Sequence, residues 1–253
     1  MSKTLLMVHG MWGGGWIWSS MQSYFEARGY TCIAPTLRHH DLKPRETPDP
    51  ALGRVSLNDY VDDMEELIKT LPEKPIAVGH SMGGMIVQLL AQRNLLAGMV
   101  LCAPAPPSDI PALSLGGIRS FLGLLTTWGF WRKPHRPTYE SMVYSSLQLI
   151  PESERRGYYD KIVYDSGRAV VEIALPFLDG NKTTRVDAEK VSCPGLVLAG
   201  QDDCLIPLKA IRRVSQKYGA EFQEYAGQTH WLVVEPGWEK AAQTIESWLD
   251  KHS

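Results

Sequence analysis

One stretch of the chain, residues 75–88, constrains the fold more than any other. It reads PIAVGHSMGGMIVQ, and its first part is a short apolar run of the kind found in buried parallel strands. The middle fits the pattern G-x-S-x-G around Ser81, and apolar residues recur at helical spacing from Met85 onward. The pattern predicts a serine at a sharp turn between a strand and a helix.

Such a turn suits a nucleophile. A serine hydroxyl becomes reactive when a base can take its proton and donors await the new oxyanion. The turn would project the side chain of Ser81 out of the sheet and present the N–H of Met82 to a substrate. Gly79 and Gly83 are expected where a Cβ would clash, and Gly84 would let the helix pack close to the preceding strand.

Strand-like and helix-like segments alternate along most of the chain. Strands are predicted at 4–8, 31–34, 96–102, 195–199 and 221–225, helices at 17–28, 57–70, 208–218 and 236–251, and a polar, proline-rich loop at 36–56. This alternation predicts an α/β fold with a mostly parallel central sheet and helices on both faces. Ligands bind at the carboxyl ends of the strands in such sheets, so the loops that follow the strands are the candidate site.

Residues 105–185, here called the cap segment, interrupt the alternation. Their aromatic residues lie on segments that look helical, which predicts an insertion without a sheet of its own. We therefore divide the chain into a core, residues 1–104 and 186–253, and a helical cap. The apolar face predicted for the cap consists of Leu113, Leu115, Ile118, Phe121, Leu122, Leu125 and Trp128. Two interpretations stay open: the face only packs on the sheet, or part of it lines an acyl pocket.

Composition restricts the possible partners. The net charge of −2 gives no support for binding to nucleic acid or to an acidic membrane. The four cysteines show neither C-x-x-C pairing nor zinc spacing, which favours reduced thiols in a cytoplasmic protein. The chain opens without a signal-peptide pattern, and the charge-free stretch 120–131 falls short of the ~20 residues that span a bilayer. We expect no stable membrane insertion, and the oligomeric state stays open.

Only one of the seven histidines is predicted to act as a base. Three are expected in polar loops, where they would be solvated: His39, His40 and His135. His252 lies at the tail. His9 and His80 lie at strand ends beside glycines, where bonding of the imidazole to nearby backbone is expected. His230 remains, in the loop after the last strand.

Two adjacent aspartates compete for the role of the acid. The strand at 195–199 runs into GQDDCLIP, which contains Asp202 and Asp203. A carboxylate that holds the Nδ1–H of an imidazole must point inward from the loop, and the other aspartate would bond to backbone amides. Both remain open on this argument alone.

The glycine-rich loop after the first strand, HGMWGGGW, offers a second oxyanion donor. Its N–H at Met11 is the best placed, because the glycines at 13–15 let the backbone approach closely. A dinucleotide loop is disfavoured, since G-x-G-x-x-G does not fit and no acidic residue ends the second strand. We expect neither a cofactor nor a metal.

Four motifs together resemble the α/β-hydrolase-fold superfamily. They are V-H-G-M-W-G-G-G-W, G-H-S-M-G-G, G-Q-D-D-C-L-I-P and G-Q-T-H, in this order and across nearly the whole chain. The resemblance implies Asp203 as the acid and the N–H of Met11 as an oxyanion donor. It also implies a sheet of about six strands, because the chain begins at the family's third strand. The first motif is similar to that of small carboxylesterases, including plant methylesterases and hydroxynitrile lyases.

The resemblance implies a carboxylesterase- or lipase-like serine hydrolase acting on a small-molecule ester with an apolar acyl group, through an acyl-enzyme. Ser81, His230 and Asp203 would be catalytic, and Met11 and Met82 would bind the oxyanion. The pocket candidates are Trp12, Phe121, Leu125, Trp128 and Trp231. A C–C bond hydrolase, a lactonase, a hydroxynitrile-lyase-like enzyme and a non-catalytic receptor for a small apolar ligand remain alternatives.

Overall fold

The computed structural model describes residues 3–41, 43 and 46–252. Its strands are β1 (Thr4–Val8), β2 (Thr31–Ile33), β3 (Ile76–His80), β4 (Gly98–Cys102), β5 (Pro134–His135), β6 (Asp165–Ser166), β7 (Gly195–Gly200) and β8 (Glu221–Tyr225). Six of them form one sheet in the order β2-β1-β3-β4-β7-β8. Every neighbouring pair in that sheet is parallel. The predicted parallel sheet of about six strands is therefore confirmed.

Helices connect and flank the strands. They are α1 (Ser19–Glu26), α2 (Leu57–Lys69), α3 (Met82–Gln92), α4 (Leu115–Leu125), α5 (Tyr139–Ser145), α6 (Glu152–Asp160), α7 (Gly167–Ala174), α8 (Leu208–Tyr218) and α9 (Trp238–Lys251). Local sequence sets several of their ends. Ser56 and Asp59 form a reciprocal capping box at the start of α2, and Gly219 ends α8 in the left-handed region.

The centre of the sheet positions the candidate site. Strand β3 is buried along its whole length, and α3 is buried from Met82 to Ala91, as its apolar sequence requires. The order of the strands reverses between β1 and β3, because the chain leaves β1 for the β2 edge and returns on the other side. Ligands bind at such a switch point in open α/β sheets. The glycine-rich loop and Ser81 follow these two strands.

The cap segment differs from its prediction in one respect. It contains α4 to α7, as expected, but β5 and β6 pair antiparallel, with Pro134 opposite Ser166 and His135 opposite Asp165. The expectation of an insertion without its own sheet is therefore wrong. Strands of two residues are too short to give the alternating pattern that identifies a strand in a sequence. The division into core and cap stays a prediction.

The predicted loop 36–56 contains a short 3-10 helix, Pro50–Arg54. Positions 42, 44 and 45 of that loop, and residues 1, 2 and 253 of the predicted core, lie outside the described residues. In the described part of the chain, no helix combines the length and apolarity needed to cross a membrane.

Candidate active site

Ser81 occupies the sharp turn between β3 and α3. Its backbone has φ 54° and ψ −118°, a conformation that is rare for a residue with a side chain and costs free energy. Hydrogen bonds hold the residue there: its N–H donates to the carbonyl of Cys102 at 3.1 Å, and its carbonyl accepts the N–H of Ala105 at 3.0 Å. The serine is thus fixed between the ends of β3 and β4.

The glycines around Ser81 allow close backbone contacts. A Cβ at Gly79 would lie 2.4 Å from the carbonyl oxygen of Gly83, and a Cβ at Gly83 would lie 2.1 Å from that of Val8. The predicted clashes are confirmed. A Cβ at Gly84 would lie 3.3 Å from the carbonyl oxygen of Gly79 on β3, which agrees with the predicted close packing on the preceding strand, and 2.7 Å from Pro104 after β4.

Gly83→Ala is expected to destabilise the fold by at least about 3 kcal/mol, because the added methyl would overlap a backbone oxygen of β1 that has no room to move. Urea unfolding measures the effect. Gly123→Ala is the matched control, since this helical glycine has no atom within 4 Å of the added Cβ, and a gain of about 0.5–1 kcal/mol is expected there. Equal unfolding midpoints for the two variants would contradict the packing argument.

His230 connects Ser81 to Asp203. Its Nε2 lies 3.0 Å from the Ser81 Oγ, and its Nδ1 lies 2.8 Å from Oδ2 of Asp203. The neighbouring Asp202 is exposed, and its N–H donates to the carbonyl of Gln228. Three side chains that are far apart in the sequence therefore form one hydrogen-bonded row at the sheet edge.

Backbone groups orient the acid in this row. Oδ1 of Asp203 accepts the N–H groups of Leu205 at 2.8 Å and Ile206 at 3.0 Å, which leaves Oδ2 directed at the imidazole of His230. The carboxylate is buried. A buried, fully bonded carboxylate can hold an imidazole in one tautomer and orientation.

The loop that carries His230 is fastened on both sides. Glu235 is fully buried and accepts the N–H of Thr229 at 2.6 Å as well as its hydroxyl. Burial raises the pKa of Glu235, against the opposing effect of these two donors. On the other side, Nε2–H of His80 donates to the carbonyl of His230 at 2.8 Å. These bonds fix the backbone of the candidate base.

Both histidines that were expected to bond to backbone, His9 and His80, do so. His80 donates to His230, and His9 bonds through Nδ1 to the carbonyl of Gly10 and through Nε2 to the N–H of Leu37. Burial, followed by the charge of a neighbouring imidazole, lowers the pKa of each to about 3. Both rings are therefore neutral, and the predicted structural role is confirmed.

The expectation that His40 and His135 are solvated is wrong. His40 is buried and lies 3.0 Å from Oδ2 of Asp165, while Nδ1 of His135 accepts the indole N–H of Trp12 at 3.3 Å. Asp165, which lies in none of the sequence motifs, is fully buried and accepts the backbone N–H of Trp12 at 2.9 Å. Its position in the cap segment, 153 residues from Trp12, left no sequence signal for the contact.

The glycine-rich loop lies directly against Ser81. A Cβ at Gly10 would lie 2.9 Å from the Cβ of Ser81, so the backbone of the loop approaches the hydroxyl closely. The N–H of Trp12 donates to Asp165 and is therefore not available to bind an oxyanion. The N–H of Met11, between Gly10 and Trp12, remains the candidate donor in this loop, together with that of Met82 at the first turn of α3.

Two of the five pocket candidates are buried in a small apolar cluster apart from the main core. Its buried members are Trp12, Met142, Leu147, Ile150, Ile162 and Trp231, and the half-buried Met11 and Phe121 pack against it. The rings of Trp12 and Phe121 are 5.5 Å apart. The cluster joins the glycine-rich loop and the histidine loop to the cap segment, which places apolar surface beside the hydrogen-bonded row.

Trp128 does not join this cluster. Its indole is 85 % exposed and packs on Trp131, with ring centroids 5.4 Å apart. Leu125 is half-buried on α4 and also lies outside the cluster. Most of the apolar face predicted for the cap is exposed, namely Leu113, Leu115, Ile118, Leu122 and Trp128. Leu122 borders the cavity of about 580 Å³ described below. Among the described residues, neither the sheet nor either of the two cavities described below covers the other four, so both interpretations of that face are wrong for those four.

Two cavities open on the cap segment. One of about 580 Å³ is bordered by Trp12, Phe121 and basic residues of the cap, and one of about 610 Å³ lies between Arg54, Arg132 and Arg168. Neither is lined by Ser81 or His230. Among the described residues, no cluster of three histidine, cysteine or acidic side chains has the arrangement of a metal site.

The hydrogen-bonded row and the fold agree with a comparison to known families. The model of the alpha/beta hydrolase family matches residues 5–242. The chain belongs to this family. The α/β hydrolases are enzymes, as the sequence motifs predicted.

Individual relatives of this α/β hydrolase are distant. It is 24% identical to a non-heme chloroperoxidase from Kitasatospora aureofaciens, over 93% of this chain and 87% of the relative. It is 27% identical to a monoacylglycerol lipase from Mycolicibacterium smegmatis, over 78% and 71% of the two chains. A solved pyrethroid hydrolase from Sphingobium faniae superimposes with a TM-score of 0.71 at 17% identity, covering 99% of this chain and 98% of that one, which shows a shared fold.

Proposed function

We propose that this α/β hydrolase cleaves carboxylic esters with apolar acyl groups through an acyl-enzyme intermediate. One observation carries the proposal: the continuous hydrogen-bonded row from Asp203 through His230 to Ser81. Nucleophile, base and orienting acid at these distances are the arrangement that acyl transfer requires. The names of two similar proteins, a lipase and a hydrolase, agree with this reaction class.

The reaction would proceed in two steps. Nε2 of His230 takes the proton from Ser81 as Oγ attacks the ester carbonyl, and the N–H groups of Met11 and Met82 stabilise the oxyanion. When the tetrahedral intermediate collapses, the imidazolium protonates the leaving alcohol, and the acyl group stays on Oγ. A water molecule, deprotonated by His230, then releases the carboxylic acid and restores the hydroxyl. Asp203 stabilises the imidazolium in both steps.

The apolar cluster beside Ser81 supports the acyl preference. Trp12 and Trp231 reach it from the core, and Phe121 reaches it from α4. Apolar surface favours an acyl chain by about 0.8 kcal/mol for each methylene that it removes from water. Longer apolar chains should therefore be better substrates up to the length of the pocket.

Phe121→Ala is expected to remove part of this preference. In a series of p-nitrophenyl esters from acetate to octanoate, the variant should lose about tenfold in kcat/KM on the longer chains and little on acetate, because each missing apolar contact costs 1–3 kcal/mol. Trp128→Ala is the matched control: the sequence placed both aromatics at the pocket, but the structure exposes this one. Equal profiles for wild type and Phe121→Ala would remove Phe121 from the pocket. An absence of turnover on every ester in wild type would favour a receptor instead.

A further inference from the structure

Trp12 has an unusual backbone and an unusual set of partners. It follows Met11 directly and has φ 63°, in the left-handed region that a bulky residue adopts only where its surroundings hold it. Its N–H donates to Oδ2 of Asp165, its carbonyl accepts the N–H of Val163 at 3.0 Å, and its indole N–H donates to His135. Each of these partners lies in the cap segment, on or beside the strands β5 and β6.

The two side chains that hold Trp12 belong to one cross-strand pair. His135 on β5 lies opposite Asp165 on β6, so the small sheet presents an imidazole to the indole and a carboxylate to the backbone of the same residue. Burial lowers the pKa of His135 to about 4, so its ring is neutral and Nδ1 can accept the indole N–H. The short sheet that the sequence did not predict is thus the scaffold of these contacts.

The side chain of His40 stabilises the ionised carboxylate of Asp165. The Nε2 of His40 faces Oδ2 of Asp165, and its Nδ1 faces the carbonyl of Arg38, each at 3.0 Å. Because an ionised carboxylate and a carbonyl only accept hydrogen bonds, both ring nitrogens carry hydrogen and the ring is an imidazolium. Burial disfavours both charges, but the attraction and hydrogen bond between the two side chains outweigh it. The pKa of His40 is therefore raised and that of Asp165 is lowered. A charged acceptor binds an N–H more firmly than a neutral one.

The contacts of Asp165 do more than attach the cap segment to the core. Glu172 already provides such a tie, since this buried carboxylate accepts the hydroxyl of Ser56 and the N–H of Leu57, each at 2.7 Å. Its bonds reach α2 and not the glycine-rich loop. Asp165 differs because the N–H that it binds belongs to the peptide joining Met11 to Trp12. The adjoining peptide carries the N–H of Met11 and is separated from this one only by the φ and ψ rotations of Met11. Holding the second peptide therefore narrows the directions that the N–H of Met11 can take.

We propose that Asp165, hydrogen-bonded to both His40 and the N–H of Trp12, is a positioning residue that keeps Trp12 in its left-handed conformation and thereby helps to aim the N–H of Met11 at the oxyanion formed on Ser81. The inference rests on the proposed ester hydrolysis. It links the cap segment to catalysis by a route separate from substrate binding. The cap would set the geometry of the oxyanion site as well as any acyl preference.

The test compares Asp165→Ala with Glu172→Gln. We expect Asp165→Ala to lower kcat on p-nitrophenyl butyrate by about 10- to 100-fold with KM changed by less than about threefold, because a misaimed oxyanion donor acts on the transition state. An alkyl trifluoromethyl ketone, which forms an oxyanion on the serine, should lose affinity by the same factor. The matching methyl ketone should not. Glu172→Gln should lower the melting temperature and leave kcat and both ketone affinities unchanged.

Asp165→Asn extends the test, because its amide oxygen can still accept the N–H of Trp12 without the charge. Its losses in kcat and in trifluoromethyl ketone affinity should lie between those of wild type and Asp165→Ala. The deciding quantity is the affinity for the trifluoromethyl ketone divided by the affinity for the methyl ketone. If Asp165→Ala does not fold, this ratio in Asp165→Asn decides. A ratio equal to that of wild type overturns the inference while the proposed hydrolysis stands. Turnover that is independent of Ser81 overturns the proposed function itself.

Discussion

Replacing Ser81 with alanine is expected to lower kcat for ester hydrolysis by about 10⁴- to 10⁶-fold, because the reaction then lacks the oxygen that forms the acyl-enzyme. The imidazole and the oxyanion donors remain, so a small residual rate above that of water is expected. Release of p-nitrophenol under saturating ester measures the loss. The melting temperature should change little, since the hydroxyl of Ser81 is only partly buried and, among the described side chains, bonds to His230 alone.

A covalent probe separates loss of the nucleophile from loss of the fold. An alkyl fluorophosphonate should add one phosphonyl group to wild type, at Ser81, and none to Ser81→Ala. Ser247→Ala is the control, since this exposed hydroxyl on α9 bonds, within the described part of the chain, only to the carbonyl of Gln243 in its own helix. Both turnover and labelling should match wild type. Turnover within tenfold of wild type in Ser81→Ala would assign the chemistry to another group.

The turn around Ser81 was predictable because its determinants are local. Strand, turn and helix lie within residues 75–92, and the clashes that demand Gly79 and Gly83 follow from the sharpness of the turn itself. The convergence of the other loops follows from topology, since the carboxyl ends of parallel strands share one edge. The preference for Asp203 over Asp202 came from family spacing, and the structure brings Asp203 to the imidazole.

The contacts of the cap segment were not predictable in the same way. His40 lies in a polar stretch that reads as solvated, and its burial depends on Asp165, which is 125 residues away. The apolar face of α4 shows the opposite case, in which residues predicted to be covered are exposed. A pattern of leucines shows which face of a helix is apolar, but Leu115 and Trp128 remain exposed because no other part of the described chain covers them.

Asp203→Asn is expected to lower kcat by about 10⁴-fold while its neighbour, Asp202→Asn, stays within about twofold of wild type. The N–H groups of Leu205 and Ile206 bind one oxygen of Asp203, and they would bind the amide oxygen of asparagine in the same way. The NH₂ group would then face Nδ1 of His230 and force the proton onto Nε2, where it blocks transfer from Ser81.

Steady-state kinetics on one ester, with a melting curve for each variant, measure the contrast between Asp203→Asn and Asp202→Asn. Asp202 is exposed, and the carboxylate that lies 2.8 Å from His230 is that of Asp203. A loss in Asp202→Asn and none in Asp203→Asn would exchange their roles. Equal losses in both would show that the loop responds as a unit, which contradicts a specific effect on the tautomer of His230.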